Sequence, residues 1–113
     1  SVLGKKFYTA PTGFPLRVGN PDSEPAVKFR GYRLVDKFPE FSFEVDGVAV
    51  RQRVRRADTE RLEWEFELGE TREPVWVVTG GGVNVANNVG VPQPGRVRLP
   101  AGTRKVSVTV GAK

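Results

Sequence analysis

FSFEVDGVAVRQRVRRADTERLEWEFEL, residues 41–68, is the stretch whose reading decides the fold. Phe41, Phe43 and Val45 alternate with Ser42 and Glu44. Val48, Val50 and Val54 then fall on alternate positions, with Ala49, Arg51, Arg53 and Arg55 between them. Leu62, Trp64, Phe66 and Leu68 alternate with Glu63, Glu65 and Glu67. A strict period of two means strands with one face in a core and one in water. Asp46-Gly47 separates the first two runs and supplies the positive φ angles of a tight type I′ hairpin turn. That turn pairs Val45 with Val48 and Phe43 with Val50. Ala57 to Glu60 makes a longer turn before the third run. If Val54 faces Trp64, then Arg55 faces Glu63, Arg53 faces Glu65 and Arg51 faces Glu67. The apolar and charge registers agree, and a slip of one residue breaks both. Each exposed pair contributes only ~0.2–1 kcal/mol, so the ladder selects the register more than it stabilises it.

Upstream, Val27 to Val35 reads as a further strand. Read straight through, Val27, Phe29, Gly31, Arg33 and Val35 share a face. A bulge at Gly31 switches the facing and turns Tyr32 and Leu34 inward. Asp36-Lys37-Phe38-Pro39 connects this strand to the meander. Lys6-Phe7-Tyr8 and Leu16-Arg17-Val18 are short candidates, so residues 1–25 form an N-terminal arm or edge strands. Downstream, Val75 to Thr79 is apolar on both faces, Val83 to Val85 follows a triple glycine, and Val97 with Leu99 makes a short strand. Arg104 to Val110 closes the pattern with three alternate valines.

About eight or nine short strands spaced by roughly 8–12 residues, with no helical periodicity, give an all-β fold, an antiparallel β-sandwich around a central meander. Residues 1–113 make one domain. The 13 glycines and 9 prolines suit its many turns. There is no cysteine and no histidine, which removes thiolate chemistry, disulfides and the commonest general base and metal ligand. There is no methionine, even at position 1. The chain is therefore expected to be a processed mature form or a piece of something longer. No run approaches the ~18 apolar residues of a membrane-spanning helix.

The net charge is +5. Yet the 18 Lys and Arg are dispersed and interleaved with Glu, so nucleic acid is not expected as a partner. Simple attachment to an anionic polymer stays open, and a steep loss of affinity with salt would reveal it. Glu63, Glu65 and Glu67 have the spacing of paired carboxylates, but facing arginines keep them ionised, whereas a general acid needs burial. Gly80-Gly81-Gly82 lacks the Lys and helix of a phosphate cradle. Asp46, Asp58, Asn84, Asn87 and Asn88 show no calcium-loop spacing. No catalytic residue, cofactor or metal site is expected. Trp76, Tyr32 and Tyr8 are the candidate ligand-binding residues, because their facing is the least determined and exposed aromatics stack on sugars.

Phe29-Arg30-Gly31-Tyr32-Arg33-Leu34, followed by Pro39-Glu40-Phe41-Ser42-Phe43-Glu44-Val45-Asp46-Gly47, resembles a β-rich segment of very large exported proteins of planctomycete-type bacteria. Those proteins join c-type cytochrome domains to dehydrogenase-like propellers. Leu62-x-Trp-x-Phe and the triple glycine fit the same layout, so the resemblance spans roughly residues 27–110. It implies a non-catalytic sandwich in a periplasmic or extracellular multidomain protein and carries over no active-site residue. The chain has no Cys-x-x-Cys-His and cannot hold such a haem itself. The expected function is packing against other domains or identical copies. Polysaccharide binding through the aromatic residues is the alternative.

Overall fold

The computed structural model describes residues 13–113, and among them there is no helix. Ten strands form two antiparallel sheets. The small sheet contains β1 (Leu16–Val18), β6 (Val75–Val78), β9 (Arg96–Leu99) and β8 (Val91–Gln93), in that spatial order. The large sheet runs β2 (Val27–Val35), β3 (Phe38–Val45), β4 (Val48–Arg56), β5 (Arg61–Leu68), β10 (Lys105–Ala112), β7 (Val83–Asn87).

The meander has the register that the alternation predicts. Val45 pairs with Val48 and Phe43 with Val50 across Asp46 and Gly47, whose φ angles are 46° and 83°. Val54 pairs with Trp64, and Arg55, Arg53 and Arg51 oppose Glu63, Glu65 and Glu67. The meander is longer than expected. Asp36 and Lys37, at φ 52° and 71°, form a second two-residue turn that joins β2 directly to β3. No glycine marks that turn, so the sequence gives only a generic connection there. The described residues form ten strands, where about eight or nine were expected, with β7 and β8 distinct on either side of an Asn87-capped loop.

The core lies between the sheets. Leu16, Val75, Val77, Val97 and Leu99 of the small sheet meet Val45, Val50, Trp64, Phe66, Leu68, Val106, Val108 and Val110 of the large one. Trp64 and Phe66 are 6% and 0% exposed, so the third run of the meander faces inward as its period requires. β6 lies between β1 and β9 and offers no free edge. Its two apolar faces follow from this central position: Val75 and Val77 enter the core, and Trp76 lies on the other side under arginine side chains. The edge strands of the described residues are β1 and β8 in the small sheet and β2 and β7 in the large one. Leu16–Val18 is thus an edge strand, as the arm reading allows; Lys6-Phe7-Tyr8 lies outside the described residues.

Candidate functional site

Six strands face four, and adjacent strands are about 4.8 Å apart, so the small sheet is about 10 Å too narrow to cover the large one. β1, the outermost strand of the small sheet on this side, lies over β3, and β2 therefore projects beyond the cover. A bulge between Phe29 and Gly31, with Gly31 at φ 140°, shifts the ladder so that Phe29 opposes Phe43, Tyr32 opposes Phe41 and Leu34 opposes Pro39. Opposed residues of a ladder share a face. The bulge therefore turns Tyr32 and Leu34 to the core side, yet both stay 67% exposed, because nothing from the small sheet reaches them. Phe29, on the same face, is 60% exposed.

The outcome is an aromatic shelf that runs outward from the core. Phe14 caps Phe43 edge-on at 4.8 Å between ring centroids, and Phe29 meets Phe43 at 5.7 Å. Phe41 lies 6.5 Å from Phe43, and Tyr32 lies 6.1 Å from Phe41 with the rings tilted by 38°. Gln52 continues the Tyr32–Phe41 row on β4. Such ring pairs lock one another's orientation, so the shelf is held in place from the buried end.

The opposite face of the same sheet is a charge ladder. Glu40, only 1% exposed, accepts a hydrogen bond from Arg33 Nε at 3.0 Å and one from Arg53 Nε at 2.9 Å, and Arg53 Nη2 completes an ion pair at 2.8 Å. Arg53 also reaches Glu65 at 3.7 Å, Arg55 bonds Glu63 at 2.6 Å, and Ser107 Oγ donates to Glu63 at 2.9 Å. Desolvation pushes the Glu40 carboxyl up, but hydrogen bonds from Arg53 and Arg33 outweigh it and hold it below the usual carboxylate range. The bond from Arg55 lowers Glu63 in the same direction. These acids are held ionised, the reverse of what proton donation at neutral pH needs. Among the described residues no three Asp or Glu side chains are grouped to hold a metal ion.

The aromatic residues singled out from the sequence do not form one site. Tyr32 is on the shelf. Trp76 is on the outer side of the small sheet, half-buried; its Nε1 donates to the Gly19 carbonyl at 3.3 Å, and the guanidinium groups of Arg96 and Arg98 lie 4.9 and 5.8 Å from its ring centroid. Tyr8 lies outside the described residues. Phe29, Leu34 and Phe41 were not singled out, although their spacing on either side of Gly31 carries the signal: a bulge places Phe29 and Tyr32 on one face. No protein family, curated protein or solved structure matches this chain.

Proposed function

We propose that the chain is a non-catalytic β-sandwich module of an exported protein, which packs against a neighbouring domain or another copy through the shelf on β2 and β3. One observation carries this reading: Phe29, Tyr32 and Leu34 share a face and are mostly exposed, and Phe29 and Tyr32 are anchored to the core by Phe43 and Phe41. Scattered surface apolar residues are ordinary, but a contiguous patch backed by a fixed aromatic row is what interfaces are built on. Tyrosine iodination tests it. Tyr32 in the native assembly is expected to react several-fold more slowly than in isolated residues 1–113. Equal rates would remove the docking role.

Polysaccharide binding on the same shelf is the second reading. It is favoured by the adjacent Tyr32 and Phe41 rings with the Gln52 amide next in the row. Trp76 contributes less to it than the sequence implied, because arginines occupy its ring. Calorimetric titration with oligosaccharides decides: no heat at millimolar sugar eliminates this reading, and binding lost in Tyr32→Ala supports it.

A further inference from the structure

The outer face of the large sheet alternates in charge strand by strand. β2 carries Lys28, Arg30 and Arg33 and no acid; β3 carries Glu40 and Glu44; β4 carries Arg51, Arg53 and Arg55; β5 carries Glu63, Glu65 and Glu67 beside Arg61. β4 shows how this sheet accommodates a cationic strand. It is flanked by acidic strands on both sides, and Arg53 bridges to Glu40 on one and Glu65 on the other. β2 is flanked on one side only. Arg33 meets Glu40 and Arg30 meets Glu44 at 3.6 Å, yet their side chains remain 63% and 61% exposed.

We infer that the free edge of β2 receives a strand from another domain or chain in which acidic residues alternate with apolar ones. This deepens the docking role proposed above and rests on it. The pairing adds a strand to an exposed edge, where backbone bonds supply affinity and side-chain pockets supply choice. The two-residue turn makes Val35 and Phe38 a hydrogen-bonded pair, so Leu34 and Tyr32, one and three residues before Val35, direct their N–H and C=O groups to the open edge. Acids of the incoming strand face Arg33 and Arg30, and its apolar residues lie beside Tyr32 and Leu34, which extends the shelf by one row. β5, with Glu between Leu, Trp and Phe, has the required pattern and occupies the equivalent place beside β4. Charge excludes two other occupants. A second copy's β2 would set Lys and Arg against Lys and Arg. Residues 1–12 contain Lys5 and Lys6 and no acid.

The test uses the whole chain and synthetic ten-residue peptides that alternate Glu with Val and Phe, a Lys-for-Glu counterpart, and an N-methylated form blocked on one edge. The Glu peptide is expected to bind, to slow amide exchange at Tyr32 and Leu34, and to bind at least tenfold more tightly than the other two. Arg30→Glu, whose melting temperature is checked to be unchanged, is expected to weaken the Glu peptide by about tenfold. Equal binding of Glu and Lys peptides, no binding, or binding without protection of β2 would overturn the inference. If Tyr32 is nevertheless shielded in the native assembly, only the identity of the partner falls; if it is not, the docking role falls with it.

Discussion

Glu40 is a charge on the water side of a sheet that water scarcely reaches. The alternation of Phe41 and Phe43, extended back one residue, puts its side chain on the outer face but does not give its burial, which arises because Arg33 and Arg53 close over it from neighbouring strands. Removing one partner from a buried pair costs about 3–5 kcal/mol. Arg53→Ala is therefore expected to cost about 2–3 kcal/mol in a urea titration, since Arg33 remains, against less than ~0.5 kcal/mol for the exposed Lys28→Ala. The same groups set an acid limit. A carboxyl whose folded pKa lies below its unfolded value adds stability that is complete above the unfolded value, ~4.3 for Glu, and is lost as pH falls through the folded one. Glu40 and Glu63 both belong to this class. The melting temperature is expected to fall below about pH 4.3, and a Glu40→Gln/Glu63→Gln variant, less stable at pH 7, to fall less steeply between pH 5 and 3. Tyr32 and Trp76 illustrate a residue-scale limit on reading sequence. Each is an aromatic in a strand, and only the neighbouring strand decides whether its ring meets solvent or a guanidinium group.

At the scale of elements, the turns separate what was legible from what was not. Asp46-Gly47 announces its hairpin because glycine takes φ 83° without strain. Asp36-Lys37 makes an equivalent turn with a lysine at φ 71°, a conformation that costs a side-chain-bearing residue about 1 kcal/mol. Lys37→Gly is expected to raise stability by about 0.5–1 kcal/mol, read as a higher urea midpoint with an unchanged slope. The β7–β8 loop behaves in the opposite way. A Cβ at Gly90 would lie 2.4 Å from a Val97 methyl and 2.8 Å from Leu99, both in the core of the small sheet. Gly90→Ala is expected to destabilise by about 1–3 kcal/mol, the cost of forcing a methyl into packed space. The bulge in β2 was legible as a glycine inside a strand, and so was the face to which it turns Tyr32 and Leu34. Their exposure was not, because alternation fixes which residues share a face and leaves open whether another layer covers that face.

For the whole molecule, the two sheets obey one pattern but differ in width, and the difference is where function is proposed. Phe66 at the centre and Tyr32 at the overhang are both inward-facing aromatics of the large sheet, and they are 0% and 67% exposed. Phe66→Ala is expected to cost about 3–5 kcal/mol in chemical denaturation, whereas Tyr32→Ser is expected to stay within about 0.5 kcal/mol of the parent. Equal losses would mean that the shelf is part of the core. The meander register could be read from residues 41–68 because it depends on neighbours in the chain. The relative width of the sheets depends on which distant strands join which sheet, and local spacing does not encode that. The joining of β10 to β5 has a further consequence. Residues 69–104 separate β5 from the partner on its far side. During synthesis, β5 leaves the ribosome with one flank bare and keeps it so until residues 105–112 emerge. For that interval Leu62, Trp64 and Phe66 lie along an unpaired edge, and the like charges of Glu63, Glu65 and Glu67 oppose the pairing of two such edges.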